Sequence, residues 1–287
     1  MKIIKTVSEM RDFTNLSNVK SQSMGFVPTM GSLHEGHIAL VKKAQQENDV
    51  VVVSIFVNPI QFGPTEDYDT YPRDLDKDAE LLEKSGVGVL FAPCASEMYP
   101  SSINTYVVSP NIGTLLEGAV RPIHFRGICT VVAKLFNIID PDRAYFGEKD
   151  YQQVLVIKEM VKDLSMPIEI VSIPTVRDEN NLALSSRNSY LSTQQRCAAS
   201  ILYKALQEAY EWIMEPSVDC TELENKICTY IEQEELAVVD LVAIRNAKNL
   251  EIVNGKMPDS VLILLFVSFG KAQLLDHLVV NMPLSKR

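Results

Sequence analysis

Eight consecutive residues, Val50 to Val57, are apolar apart from Ser54 and mostly β-branched, the composition of a strand buried on both faces. A strand of that kind belongs in a parallel sheet with helices packed on either side. The rest of the chain has the parts for one. Short apolar runs recur at Met24 to Val27 before Pro28, at Val87 to Phe91, at Ala144 to Phe146, and at Ile168 to Ile173 before Pro174, with weaker strand signals near the N-terminus and at Thr105 to Val108. Between them Ile38, Leu40, Val41 and Ala44 recur at helical spacing, Asp74 to Ser85 reads as a helix stopped by Gly86, and an apolar helix runs from Ile128 to Ile139. Val154, Leu155, Ile157 and Met160 announce another helix. The prediction is an α/β chain.

After Pro174 the pattern changes: helices over 194–212 and 220–234, a strand over 238–245, and a hairpin of 261–269 with 272–280 through Gly270-Lys271. That predicts a smaller α+β C-terminal domain. The total of 287 residues, 46% hydrophobic and 22% charged, suffices for a large core and more than one domain. A net charge of -10 argues against a general nucleic-acid surface, tRNA included. Val261 to Val267 is too short for a membrane span, and Met1 to Arg11 lacks the apolar core of an export signal. The cysteines, 94, 129, 197, 220 and 228, are odd in number and without a C-x-x-C pair, so neither disulfides nor zinc are expected and a reducing cytoplasm fits.

The stretch that carries chemistry is Pro28-Thr29-Met30-Gly31-Ser32-Leu33-His34-Glu35-Gly36-His37, where a strand turns into a helix. Ser32 with Glu35 has the form of a capping box, which predicts a helix beginning near Leu33. His34 and His37 then share one face of its first turns, beside unpaired N–H groups and the positive end of the helix dipole. That is an anion site. The dipole disfavours further positive charge, so neutral imidazoles would donate hydrogen bonds to phosphate oxygens whose charge grows during reaction. Gly31 and Gly36 leave room for a ligand or a neighbouring backbone. Two histidines three apart are in themselves ordinary surface or core residues; H-x-G-H directly after a strand resembles the signature of the nucleotidyl-transfer superfamily, whose sheet is Rossmann-like with helices on both faces.

Other segments fall at the same sheet edge. Asn58 and Gln61 follow the central strand and are candidates for orienting a polar small molecule, or simply a turn. Residues 63–74 form a polar loop, a lid or a solvated connection. Arg121, His124 and Arg126 offer local positive charge for an anion, or serve at a helix entry. Lys149, in Gly147-Glu148-Lys149-Asp150, can reach a phosphate while Asp150 and Gln153 bond hydroxyls; the plain alternative is a surface Lys beside an N-capping Asp. Ser185-Ser186-Arg187 lies in a polar connection that either closes on a triphosphate or links domains.

These stretches, with Phe56 to Phe62, Tyr71-Pro72-Arg73, Arg121 to Phe125, Phe146 to Gln153 and Ser185 to Asn188, occur in the order of the pantoate–β-alanine ligase family, which the chain resembles over its first two-thirds. The resemblance implies ATP-dependent ligation of pantoate and β-alanine through pantoyl adenylate, with Mg2+ on the phosphates. It implies that Met30, Gly31, Leu33, His34, Gly36, His37, Gly147, Glu148, Lys149, Asp150, Val176 and Leu184 to Arg187 hold ATP. His37 would be the proton donor, in a catalytic set with His34, Lys149, Ser185, Ser186 and Arg187. Gln61, Gln153 and Asn58 would bind pantoate, with Gln61 near β-alanine. It further implies a homodimer, an ATP- and pantoate-binding domain over 1–177, and a C-terminal domain over 178–287 that covers the cleft. Asn180-Asn181 stands where Asp-Gly is usual, Leu184 where Met is usual, and Lys77 separates Asp76 from Asp78 where some members carry a third acid. A different H-x-G-H nucleotidyltransferase would have no evident use for the Gln61 and Gln153 pair. A non-catalytic nucleotide-binding protein would be expected to have lost His37, Lys149 or Arg187.

Overall fold

The structure, a computed structural model, describes residues 1–64, 66–215, 218–254 and 256–283, apart from the side chains of residues 17 and 18. Residue 65 of the 63–74 loop and residues 284–287 of the expected C-terminal domain lie outside the described residues. The chain divides into two compact units, Met1–Pro174 and Thr175–Arg287.

In the first unit β1 (Lys2–Ile4), β2 (Met24–Thr29), β3 (Val50–Ile55), β4 (Val89–Phe91), β5 (Arg143–Gly147) and β6 (Glu169–Ile173) form one sheet in the order β1-β4-β3-β2-β5-β6. Every neighbouring pair is parallel. Because side chains alternate across a strand, the strands from β2 to β6 feed two cores. Phe26, Val52, Phe91, Ala144 and Phe146 pack with Met10 and the helix His124–Ile139, whereas Val27, Val51, Val53, Leu90 and Tyr145 pack with Ile38, Val41, Ala44 and Leu82 from the helices Glu35–Glu47 and Leu75–Lys84. The sheet is therefore covered on both faces, and each fully buried Phe or Val contributes about 1.5–3 kcal/mol.

The strand order places the site. From β2 the chain winds outward through β3 and β4, then returns to lay β5 on the other side of β2. In open α/β sheets the crevice at the carboxyl ends of the strands where the order reverses takes the ligand. Here those ends carry Pro28 to His37 and Gly147 to Asp150.

Two expectations in this unit away from the histidine turn need correcting. Residues 105–108 make no strand: the Val107 N–H donates to Thr130 Oγ1 at 3.0 Å, and strand propensity counts only where a ladder partner exists. The apolar helix begins at His124 rather than Ile128, because Phe125 is already buried and the His124 N–H bonds Arg121 O at 3.0 Å. Its end is as expected, with Asp140 left-handed at φ 53°.

In the second unit β7 (Val238–Asn246), β8 (Ser260–Phe269) and β9 (Ala272–Asn281) form an antiparallel sheet, the hairpin turning through Gly270 at φ 63°. The helices Ile201–Ile213 and Cys220–Ile231 cover one face, with Leu202, Leu206, Leu223 and Ile227 against Val261, Ile263 and Leu265. The helix expected over 194–212 is two, Thr193–Ala198 and Ile201–Ile213; between them the Ser200 N–H takes an i−3 carbonyl, Cys197 O.

Candidate active site

The turn after β2 is shaped by one buried carboxylate. Asp78, 3% exposed, accepts the Ser32 and Leu33 N–H groups on its two oxygens, each at 2.8 Å. Gly31 sits at φ 84°, and a Cβ there would lie 2.9 Å from Asp78 Oδ2 and 3.1 Å from Ile55 Cγ2. Ser32 is itself left-handed at φ 51°. It therefore cannot act as the expected N-cap: the cap is His34, and the helix begins at Glu35.

The capping is done by the histidines. The Gly36 N–H donates to His34 Nδ1 at 3.2 Å, and the His34 N–H to His37 Nδ1 at 3.3 Å. An Nδ1 that accepts is unprotonated, so each neutral ring carries its proton on Nε2. The rings lie 4.1 Å apart between centroids. Burial, then Lys149, holds His34 down to about 4, and burial, then His34, holds His37 down to about 3, with Asp150 opposing both shifts. The pair is thus two neutral donors at the end of β2.

From the end of β5, Lys149 and Asp150 come close enough to act on both histidines. Lys149 Nζ lies 3.0 Å from Asp150 Oδ1. A Cβ at Gly147 would meet nothing within 4 Å, so the strand end opens onto unfilled space. Glu148 turns aside, accepting from Ser172 Oγ at 3.0 Å. Gln153 is half-buried on the helix Tyr151–Asp163.

Gln61 reaches the same turn, its Nε2 3.2 Å from Met30 Sδ. Asn58, 1% exposed, stands behind it: Asn58 Nδ2 donates to Gln61 Oε1 at 2.9 Å and Gly127 O at 3.2 Å, and Asn58 Oδ1 accepts from the Tyr99 hydroxyl at 2.8 Å. The Asn58 amide is engaged with protein partners, and its observed contact with the site is Gln61.

Arg121 is already neutralised. It pairs with Glu66 of the 63–74 loop and with Glu117 at 2.7 Å, while His124 bonds Gln61 O at 3.2 Å. Arg126 lies 4.4 Å over the Tyr106 ring. The cluster ties the loop to the helix entry, the plainer of the two expectations for Arg121 and His124.

Val176 and Leu184 to Arg187 belong to the second unit and cluster among themselves. The Leu184 N–H donates to Val176 O at 2.9 Å, Arg177 bridges Ala183, and Ser185 Oγ accepts the Arg187 N–H at 3.3 Å. Asn181 takes a left-handed φ of 62° in the turn, a region asparagine enters more readily than most non-glycine residues. Asp178 Oδ1 accepts the Asn180 and Leu182 N–H groups at 2.9 and 3.1 Å, so the departure from Asp-Gly still forms a closed turn.

Asp78, Tyr99 and Gly127 were not among the expected site residues. Their partners lie 46, 41 and 69 positions away, and nothing local marks them except that Asp78 falls in the first turn of its helix.

The family model described as Pantoate-beta-alanine ligase matches residues 2–279. A pantothenate synthetase of Sinorhizobium medicae (strain WSM419) is 51% identical over 280 residues, 98% of this chain and 96% of that one. The crystal structure of pantothenate synthetase from Thermus thermophilus is 46% identical with a TM-score of 0.89, covering 97% of this chain and 99% of that one. That of pantoate-beta-alanine ligase from Francisella tularensis, complexed with beta-gamma ATP and beta-alanine, is 38% identical with a TM-score of 0.80 over 97% of each chain. With the paired histidines at the switch point and a match across nearly its whole length, the chain belongs to the pantoate–β-alanine ligase family.

Proposed function

We propose that this chain condenses (R)-pantoate with β-alanine, using ATP, to give pantothenate, AMP and diphosphate. The observation that carries it is the convergence of two neutral imidazole donors with Lys149 at the sheet's switch point, in a chain matched to the ligase family over residues 2–279. A carboxylate at neutral pH is a poor acylating agent, so the acid is first activated. A pantoate carboxylate oxygen attacks the α-phosphorus, the bond to the α–β bridging oxygen breaks, and diphosphate leaves. The β-alanine amine then attacks the pantoyl carbonyl, loses a proton and expels AMP.

The residues supply positioning and charge rather than covalent chemistry. His34 and His37 donate from Nε2 to phosphate oxygens; being neutral, they act by hydrogen bonding. Lys149 adds a cation, and Met30, Gly31, Leu33, Gly36, Gly147 and Asp150 line the nucleotide's path, with Glu148 contributing its backbone alone. Gln61 and Gln153 bind pantoate, while Asn58 acts through Gln61. Val176, Leu184, Ser185, Ser186 and Arg187 are assigned to ATP as in the family. Mg2+, bound with the nucleotide, would supply further positive charge to the phosphate oxygens, since it commonly keeps its waters and takes few protein ligands. The same reading includes a homodimer and a cytoplasmic setting; among the described residues no helix is long and apolar enough to cross a membrane.

The test is pyrophosphate exchange into ATP with Mg2+ and no β-alanine. Exchange that requires pantoate establishes the adenylate step and the acid. Absence of exchange with pantoate, in protein that binds ATP, overturns the two-step ligase and leaves another H-x-G-H nucleotidyltransferase.

A further inference from the structure

An amide such as Gln61 can present either its oxygen or its nitrogen to a substrate, and the two recognise opposite partners. In this chain the choice is made behind the site. Gly127 O can only accept, so the Asn58 group facing it at 3.2 Å must be the NH2. The same NH2 donates to Gln61 Oε1 at 2.9 Å, which turns the Gln61 oxygen inward and its NH2 outward, toward Met30. The far end of the Asn58 amide is then the oxygen, and Tyr99 fills it as a donor at 2.8 Å. Burial raises the Tyr99 hydroxyl above its ordinary range, so it remains protonated at any working pH.

We propose that Tyr99 is a positioning residue for the acid substrate: through Asn58 it fixes the Gln61 amide with its NH2 outward, as a donor to an oxygen of pantoate. The inference rests on the assignment of Gln61 to pantoate made above. It explains why the Tyr99 hydroxyl is directed at the buried Asn58 amide behind Gln61. The ring is held separately, 6.1 Å from the Phe56 ring and 5.1 Å from Lys134 Nζ between centroids and charge, so removing the oxygen alone leaves the packing in place.

The experiment is pantoate-dependent pyrophosphate exchange, which needs only ATP and pantoate, in Tyr99→Phe, Gln61→Leu and the double variant. In Tyr99→Phe the KM for pantoate rises about tenfold, the scale of one hydrogen bond lost at a buried amide. The KM for ATP stays within about twofold. The double variant matches Gln61→Leu, because Tyr99 acts only through Gln61. If Gln61→Leu raises the pantoate KM but Tyr99→Phe does not, the inference fails and the assignment of Gln61 stands. It fails likewise if the two effects multiply in the double variant, or if Tyr99→Phe raises both KM values alike, as general loosening would. An unchanged pantoate KM in Gln61→Leu overturns the assignment of Gln61 and the inference together.

Discussion

Asp78 accepts the amide of Leu33 at 2.8 Å across 45 residues of chain, and with its other oxygen the amide of Ser32. The carboxylate thereby holds the turn from which His34 and His37 project, while His34 takes the capping role that Ser32 was expected to fill. Replacing it with Asn keeps the size but leaves only one acceptor for two partly buried donors. Asp78→Asn is expected to lose about 1–3 kcal/mol of stability. Displacement of the histidine turn by about 1 Å can cost on the order of 100-fold in rate. Urea unfolding and pyrophosphate exchange measure the two; unchanged exchange kinetics would show that the turn holds its shape without this anchor.

The depressed histidines define a pH signature. The dipole argument and the structure agree that both are neutral when the site is empty, His34 held to about 4 and His37 to about 3, burial leading in each case. Neither titrates near its ordinary value, so the exchange rate should show no histidine limb between pH 6 and 8. Stability follows the opposite logic from a salt-bridged histidine. As pH falls below the ordinary value near 6.5, the unfolded chain binds protons that the folded chain refuses, and the folded state loses stability progressively down to the folded values. Burial lowers His124 too, so the test is comparative: His34→Asn/His37→Asn should lose less stability between pH 6.5 and 5 than the parent. An equal loss would place the titration elsewhere.

The sheet could be read because its information is local: Val50 to Val57 announces two-sided burial by composition alone, and the strands on either side repeat the pattern. The histidine turn could be half read. Its helix follows from spacing, but the cap does not, since the S-x-x-E form is present while Ser32 is left-handed at φ 51°. Asp78 and Tyr99 could not be read, because a buried acceptor reached across 41 to 46 residues has no local pattern. Residues 105–108 mislead for the converse reason: β-branched composition is local, and the ladder partner it needs is not.

Gly127 is where the helix His124–Ile139 approaches Gln61. A Cβ there would lie 2.4 Å from Gln61 Cα and 2.6 Å from Ile60 O, so the backbone has to move. Gly127→Ala should lose about 1–3 kcal/mol through overpacking and raise the KM for pantoate more than that for ATP, because the atoms it meets first are those of Gln61 and Ile60. Steady-state kinetics with each substrate varied in turn decide it; a rise confined to the ATP KM would contradict the placement of Gln61.

In the second unit the turn before Ser185 hangs on Arg177. Its guanidinium grips Asp276 at 2.6 and 2.8 Å, donates to Asn181 O at 3.0 Å, and stacks 4.6 Å from the Tyr203 ring. Asp276 is 1% exposed, so removing the arginine strands a buried carboxylate. Arg177→Met is expected to cost about 3–5 kcal/mol, and adding Asp276→Leu should recover much of that, because the penalty is mainly the unpaired charge rather than the lost pair. The chain's one tryptophan, Trp212, sits in the helix Ile201–Ile213 of this unit, so its fluorescence in urea reports the unit directly. If instead the two losses add, the pair contributes little coupling and the turn is held by its own backbone bonds. In that case Arg177→Met should leave the KM for ATP unchanged, whereas a turn held by the ion pair predicts that the KM rises together with the loss of stability.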